Sequence, residues 1–154
     1  MKQFEIFLLT FLIILPLSLK AQWVALGGLL GGDIMKLLVV NSKIYAGGTA
    51  TLFRSADNGI SWTSSMPQFS YAWSIASSGS NIYCGVWSGG IGTTAGVYKS
   101  TNDGLNFSIV GLNNKNISDI AADNQRILAC AFVESGLYLS TDQGSSWNNI
   151  KGSL

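Results

Sequence analysis

A short pattern that returns three times along the chain constrains the fold more than any other feature. It reads Ser-x-Asp-x-Gly-x-x-Trp at residues 55–62 and again at residues 140–147. The copy at residues 100–107 relaxes it, with Asn102 in place of Asp and Phe107 in place of Trp. The serines of successive copies are 45 and 40 residues apart. This period is typical of a four-stranded propeller blade and not of a helical repeat.

The repeated residues have a local role that explains each position. A Ser or Asp side chain can accept hydrogen bonds from backbone N–H groups inside a turn, and glycine can adopt the positive φ of a tight hairpin. Asn accepts the same bonds as Asp, so the second copy is also expected to close. We therefore interpret the repeated residues as structural and not as catalytic acids. They are Ser55, Asp57, Gly59, Trp62, Ser100, Asn102, Gly104, Phe107, Ser140, Asp142, Gly144 and Trp147.

The three copies resemble the Asp box of the sialidase-like (BNR) propeller superfamily. Its members include sialidases, certain endoglucanases, sortilin-type receptors and photosystem assembly-factor propellers, so the fold alone does not predict the function. The resemblance covers nearly all of residues 22–154. It implies an all-β fold, a partial β-propeller of three four-stranded antiparallel blades in which each Asp-box hairpin joins the third and fourth strands. The blades are expected at about residues 33–65, 71–110 and 116–150.

The pattern also predicts an incomplete ring. Residues 22–27 resemble a fourth strand without the first three strands of a blade, and three blades fall short of the usual four to eight. We expect either the N-terminal part of a longer propeller or a ring assembled from two or more chains. An open arc exposes apolar blade faces to solvent, so these faces are also candidates for self-association.

The N-terminus is typical of a secretory signal peptide at residues 1–21. Lys2 precedes an apolar run that Pro16 ends, and Ala21 is a plausible cleavage position. The alternative is an uncleaved membrane anchor, but the apolar stretch 6–19 is shorter than the roughly 20 residues that span a bilayer. This predicts a secreted, periplasmic or cell-surface protein with no membrane association after cleavage.

Charge and composition narrow the range of partners. The sequence contains no histidine, which removes the commonest general base and metal ligand, and neither a metal site nor a cofactor is predicted. Without residues 1–21 the chain carries seven basic and seven acidic residues, with no basic cluster. This balance argues against nucleic acid as a partner and favours a protein or glycan ligand.

The two cysteines fall one residue out of register when the blades are aligned. The predicted second strands are Ile44–Gly47, Ile82–Gly85 and Ile127–Cys130. Cys84 then corresponds to Ala46 and Ala129, whereas Cys130 corresponds to Gly47 and Gly85. Their side chains should therefore lie on opposite sheet faces, which prevents a disulfide. We expect both to be free thiols in buried positions.

The candidate ligand-binding residues lie opposite the Asp boxes, where loops between the second and third strands meet. The middle blade has the longest such loop, at residues 87–96, and loops carry function more often than strands. Trp87 and Tyr71 are suited to stacking on a sugar ring, and Asp33 and Glu134 are predicted at the same end. The alternative is that Trp87 packs between blades and the glycine-rich loop is merely flexible.

Catalysis can be tested against the residues that it requires. A sialidase uses three arginines together with a Tyr–Glu nucleophile pair. After residue 21 this chain has only two arginines, Arg54 and Arg126, and one glutamate, Glu134, so it cannot supply the three arginines. No catalytic residue is predicted. The favoured hypothesis is a non-catalytic extracytoplasmic binding or scaffold propeller that recognises protein or glycan. The alternative is the N-terminal segment of a secreted sialidase-like or other glycoside hydrolase whose active site is completed by further blades.

Overall fold

The computed structural model describes residues 32–67, 70–88, 94–132 and 136–153. Within these ranges the chain forms twelve β-strands and one short 3-10 helix. The predicted signal peptide and the predicted strand at residues 22–27 lie outside them. Among the residues that the structure describes, no helix is long and apolar enough to cross a membrane.

The strands form three antiparallel sheets of four, each built from consecutive segments of chain. The first blade contains β1 (Ile34–Val40), β2 (Lys43–Gly48), β3 (Leu52–Ser55) and β4 (Thr63–Ser64). The second contains β5 (Ser70–Ser78), β6 (Asn81–Ser88), β7 (Gly96–Ser100) and β8 (Ser108–Gly111). The third contains β9 (Ile117–Ala122), β10 (Ile127–Ala131), β11 (Gly136–Ser140) and β12 (Asn148–Asn149), followed by the helix Lys151–Ser153. The predicted fold class, a partial propeller of three four-stranded blades, is confirmed.

Each blade has two chemically different ends because its strands alternate in direction. The hairpins from first to second strand and from third to fourth strand lie at one end, which we call the turn end. The links from second to third strand and the starts of the first strands lie at the other, which we call the loop end. The repeated Ser-x-Asp turns therefore all lie at the turn end.

The blades pack face to face through two apolar clusters. We call the side of a blade that meets the preceding blade its front face and the side that meets the following blade its back face. The first cluster joins the back of the first blade, including Tyr45 and Leu52, to the front of the second, including Ile75 and Cys84. The second cluster joins the back of the second blade to the front of the third. Each large apolar side chain buried in this way contributes about 1.5–3 kcal/mol.

Polar contacts fix the angle between the first and second blades at the turn end. The Tyr45 hydroxyl and the Arg54 Nε both donate to the backbone carbonyl of Asp103, at 2.8 Å and 2.7 Å. Lys43 forms an ion pair with the Asp103 carboxylate at 3.2 Å. Burial raises the pKa of the Tyr45 hydroxyl, which keeps it a protonated donor. Three side chains of one blade thus hold a single turn residue of the next.

The second and third blades repeat this arrangement with different residues. Lys99 Nζ donates to Gln143 Oε1 at 3.1 Å, and Asn81 Nδ2 lies 3.4 Å from the same oxygen. Gln143 occupies the turn position that Asp103 occupies in the second blade, and both have positive φ. Side-chain contacts from one blade to the turn of the next blade therefore occur at both described interfaces.

Glycines of the second strands permit the close approach of neighbouring blades. A Cβ on Gly47 would lie 2.5 Å from the carbonyl oxygen of Ala72 on the next blade, and one on Gly85 would lie 2.6 Å from Ile117 Cγ2. Cys130 occupies the corresponding position of the third blade. In the part of the chain that the structure describes, no neighbouring blade meets this position.

The cysteine predictions were correct in part. Both thiols are free, and they lie on opposite faces of their sheets, as the one-residue offset predicted. Cys84 is completely buried between the first two blades, and burial raises its thiol pKa to about 12. The prediction that Cys130 is buried was wrong, because its side chain is exposed on the back face of the third blade.

Candidate functional site

An aromatic cluster at the loop end spans the second and third blades. The ring centroids of Trp73 and Trp87 are 5.2 Å apart, and those of Trp87 and Phe132 are 5.0 Å apart, with interplanar angles of 45° and 40°. We call these three residues the aromatic platform. Trp73 and Trp87 are partly exposed, and Phe132 is 62% exposed. The three rings therefore form an aromatic surface that is partly open to solvent at this end.

A β-bulge places Trp73 in the platform. The register of β5 against β6 shifts between Ala72 and Ser74, which leaves Trp73 as the extra residue. Such a bulge turns a side chain out of the regular alternation of the strand. The same shift occurs at Met35 in β1 and at Ser118 in β9, so the bulge is a feature of every first strand. Only the second blade uses it to present an aromatic ring.

Asn116 fixes the two halves of the platform relative to each other. Its side-chain oxygen accepts a hydrogen bond from the backbone N–H of Ser88, next to Trp87, at 3.1 Å. Its backbone carbonyl accepts one from the N–H of Phe132 at 2.9 Å. One residue in the link between two blades thus holds the ends of β6 and β10. Nearby, the Tyr98 hydroxyl donates to the carbonyl of Thr94 at 2.8 Å and anchors the end of the long loop.

The four predicted ligand-binding residues differ in where they lie. Trp87 is at the centre of the platform, and Tyr71 pairs directly with it across β5 and β6, so both lie on one face of the sheet. Asp33 is exposed at the loop end of the first blade, where its backbone N–H donates to Thr49 Oγ1 at 2.9 Å. Glu134 lies outside the described residues.

Sequence reasoning missed Trp73 and Phe132. Phe132 follows Ile127 by the same interval as Trp87 follows Ile82, so the repeat alignment contains the signal that identifies it. Trp73 has no comparable signal, because a bulge is not visible in the spacing of a single strand.

The three repeated turns at the opposite end are closed by their own side chains. Ser55 Oγ accepts from the N–H of Gly59 at 2.8 Å, and Asp57 Oδ1 accepts from the N–H of Ser61 at 2.9 Å. Trp62 Nε1 donates to the Gly59 carbonyl at 3.0 Å. Hydrogen bonds from Ser61, followed by one from Ser55, lower the pKa of Asp57 to about 2.

The other two turns reproduce this network. In the third, Ser140 and Asp142 accept the corresponding backbone N–H bonds of Gly144 and Ser146, and hydrogen bonds led by Ser146 lower the pKa of Asp142 to about 2. In the second, Asn102 Oδ1 accepts from the N–H of Asn106 at 3.0 Å. In each turn, the serine hydroxyl and the Asp or Asn side-chain oxygen thus accept hydrogen bonds from backbone N–H groups of the same turn.

Other features of the described residues are less suited to a ligand. A shallow, open depression lies at the turn end of the third blade and is lined by Asn124, Gln125, Arg126, Thr141, Asp142 and Gln143. Arg126 there is already paired with Asp123 at 2.7 Å. Within the described ranges, no group of three or more His, Cys, Asp or Glu side chains is arranged to hold a metal ion.

Comparisons with known proteins agree with the fold. No family model matches the sequence. A xyloglucanase from Hypocrea jecorina (strain QM6a) is 31% identical over 126 residues, in an alignment that covers 73% of this chain and 14% of the enzyme. The chain therefore spans only a small part of the curated relative that it matches.

Two solved structures are similar in fold. An ancestral GH74 enzyme superposes with a TM-score of 0.62 and 20% identity, over 77% of this chain and 18% of the enzyme. A structure of YCF48 bound to D1 peptide superposes with a TM-score of 0.60 and 17% identity, over 77% of this chain and 41% of that protein. At these identities the likeness shows a shared propeller architecture.

Proposed function

We propose that the loop end of these blades binds a glycan chain outside the cytoplasm, as the non-catalytic part of a β-propeller. The aromatic platform of Trp73, Trp87 and Phe132 is the observation that carries this proposal. A pyranose ring has flat faces of C–H groups, which pack against aromatic rings and remove apolar surface from water. The spacing of the three rings, about 5 Å from one centroid to the next, suits an extended, repeating ligand more than a single small molecule.

In this proposal, polar groups at the loop end complete the site. Binding surfaces combine aromatic side chains with a few polar groups that orient the ligand. Tyr71 lies across the sheet from Trp87, and Asp33 offers an exposed carboxylate on the first blade. We assign Asp33 and Tyr71 the role of hydrogen-bonding sugar hydroxyls, and Glu134 the same role from the third blade.

The repeated turns are, in this proposal, structural Asp boxes of the sialidase-like type. The hydrogen bonds of Ser55 and Asp57 stay inside the turn, and the two other copies follow the same pattern. The turns also lie at the opposite end of the blades from the platform. They therefore support the scaffold and contact no ligand.

A second candidate function is a section of a glycoside hydrolase, favoured by the 31% identity to a xyloglucanase. A glycosidase needs two carboxyl groups that flank the scissile bond. The described aspartates at the turn end are engaged in turns or ion pairs, which leaves Asp33 and Asp119 as the described candidates. In that case most of the catalytic machinery would come from parts of the protein outside these three blades.

The cellular location follows from the N-terminal sequence. We propose that residues 1–21 are a cleaved signal peptide and that the protein is secreted, periplasmic or held at the cell surface. A glycan ligand is consistent with this location, because polysaccharides are abundant outside the cytoplasm. A protein ligand is the other option, and the YCF48 complex with a D1 peptide supports it for a propeller of similar fold.

Titration calorimetry of the full chain after export tests the proposal. The ligands are xyloglucan oligosaccharides, cello-oligosaccharides and a panel of unstructured peptides. Trp87→Ala and Phe132→Ala should each weaken oligosaccharide binding by about tenfold or more, because each removes a ring of the platform. Leu105→Ala is the matched control, since Leu105 is 56% exposed at the turn end.

Each outcome separates the candidates. Binding of oligosaccharides that depends on the platform supports the proposal. Binding of peptides without binding of oligosaccharides would contradict the glycan proposal and indicate that the site recognises a protein. Release of reducing sugars from xyloglucan by the purified chain, lost in Asp33→Asn, would show that these blades are catalytic and contradict the proposal.

A further inference from the structure

The residue that precedes the glycine differs among the three repeated turns. It is Asn58 in the first turn, Asp103 in the second and Gln143 in the third, with positive φ angles of 59°, 57° and 61°. In every turn, the N–H of the glycine that follows donates to the buried serine at the start of the turn. The main chain is therefore similar in the three turns, whereas the chemistry of the side chain at this position changes.

A side chain of the preceding blade holds this position in the second and third turns. Lys43 forms an ion pair with the Asp103 carboxylate at 3.2 Å, and Lys99 Nζ donates to Gln143 Oε1 at 3.1 Å. Asn58 is exposed, and within the described ranges its side chain forms no hydrogen bond or ion pair. The side-chain amide of Asn58 is therefore free to turn towards its own main chain.

An asparagine that precedes a glycine can react with its own main chain. The glycine nitrogen loses its proton and attacks the side-chain carbonyl carbon, so that a C–N bond forms, the bond to the side-chain amide nitrogen breaks, and that nitrogen leaves with the proton as ammonia. Water then opens the cyclic imide to give aspartate or isoaspartate. Glycine favours the attack because it has no Cβ that obstructs its nitrogen. Asn58-Gly59 is the only Asn-Gly dipeptide in the sequence.

The folded turn restrains the nitrogen that carries out this attack. The Gly59 N–H donates to Ser55 Oγ at 2.8 Å, and both residues are buried. Asp57 Oδ1 accepts from the N–H of Ser61 at 2.9 Å and closes the turn further. The Gly59 nitrogen can lose its proton to solvent only when its hydrogen bond opens. The rate of reaction at Asn58 therefore depends on how often the first turn opens locally.

We propose that Asn58 is a site of deamidation through a cyclic imide, and that the hydrogen bond from Gly59 to Ser55 controls its rate. The product has a carboxylate in place of an exposed amide, next to Asp57. Isoaspartate also lengthens the main chain by one carbon atom, so the hydrogen bonds of the first turn can no longer all form. The modification is confined to the first turn, because the other two have no asparagine before the glycine. It does not depend on which ligand the loop end binds.

Peptide mapping by mass spectrometry tests the proposal on the full chain after export, incubated at mildly alkaline pH and sampled over time. Asn58 should deamidate faster than any other asparagine of the chain, but more slowly than in a synthetic peptide of residues 52–62. Ser55→Ala should raise the rate at Asn58 by about fivefold or more, because the turn opens more often without its buried acceptor. Ser140→Ala is the matched control, since it removes the same hydrogen bond from the third turn and should leave the rate at Asn58 unchanged.

A second variant keeps the test valid if Ser55→Ala does not fold. Asn58→Gln is compatible with the turn, because Gln143 has a similar φ at the equivalent position, but its longer side chain would have to close a six-membered ring and reacts far more slowly. After incubation the native chain should melt at a lower temperature than before, whereas Asn58→Gln should not change. The proposal would be overturned if Asn58 stayed intact while other asparagines reacted, if Asn58 in the native chain reacted as fast as in the peptide, or if Ser140→Ala accelerated it as much as Ser55→Ala.

Discussion

The turn end and the loop end of the blades differ in how much they repeat. At the turn end, three networks use the same positions, with a buried serine at 55, 100 and 140 that accepts the N–H of a glycine four residues later. At the loop end, the position five residues after Ile44, Ile82 and Ile127 of the second strands is occupied by Thr49, Trp87 and Phe132, respectively. Repetition therefore marks what every blade needs in order to fold.

The aromatic residues at the loop end differ between blades, so blade geometry does not require them. A residue required by blade geometry should recur in every blade, as the bulge in each first strand does. Trp73, Trp87 and Phe132 do not recur in the first blade, yet they contact one another across two blades. This difference supports the proposal that the loop end binds a ligand, whereas the hydrogen bonds of the turn end stabilise the fold. Substitutions at the turn end should therefore lower the free energy of unfolding, whereas substitutions at the loop end should lower ligand affinity.

The largest expected effect is at Gly104, in the second turn. Its φ is +74°, and an added Cβ would overlap the ring of Tyr45 on the first blade. Gly104→Ala should lower the free energy of unfolding by about 2–4 kcal/mol, from backbone strain together with overpacking. Denaturant titration measures this change. Gly79→Ala is the control, because Gly79 has a φ of +58° but no atom within 4 Å of an added Cβ, so it should cost only about 1–2 kcal/mol.

The next effect concerns the buried serine of the same turn. Ser100→Ala leaves the N–H of Gly104 without its acceptor in a buried position, which should cost about 1–3 kcal/mol. Oligosaccharide affinity should not change once the protein is measured well below its melting temperature. A loss of affinity without a change in the melting temperature would mean that the turn end contacts the ligand.

Acid should destabilise the first and third turns but not the second. The folded-state pKa of Asp57 and Asp142 is about 2, below the ordinary aspartate value of 3.8. Their contribution to stability is therefore present above about pH 4 and is lost as the pH falls towards 2. The variant Asp57→Asn/Asp142→Asn should show a flatter dependence of melting temperature on pH in this window, because Asn102 already closes the second turn without a charge. If the double variant kept the native pH dependence, Asp57 and Asp142 would not be the source of the loss of stability in acid.

The smallest expected effect on stability is at the platform itself. Phe132 is 62% exposed, so Phe132→Ala should change the free energy of unfolding by no more than about 0.5 kcal/mol. The same substitution is expected to weaken glycan binding by about tenfold or more. If it instead lowered the melting temperature as much as Ser100→Ala, the platform would be a packing feature and the contrast between the two ends would fail.

Much of the fold was predictable from the residues in the repeat. The Ser-x-Asp-x-Gly pattern acts within a few residues, and its hydrogen bonds form in both copies and in the Asn102 variant of the second turn. The period then sets the blade length, and the second-strand alignment correctly placed the two cysteines on opposite faces. Phe132 was also identifiable, because it has the same offset from its second strand as Trp87.

The sequence by itself determined the repeating unit, the turn chemistry and the blade order, because these depend on contacts close together in the chain. Only the tertiary structure decided that Trp73 joins Trp87 and Phe132, since this requires a bulge and the meeting of two blades. It also decided that Cys130 is exposed while Cys84 is buried. Both lie on second strands with similar local sequence, but a side chain is buried only where another blade covers it, and that is a property of the assembled arc.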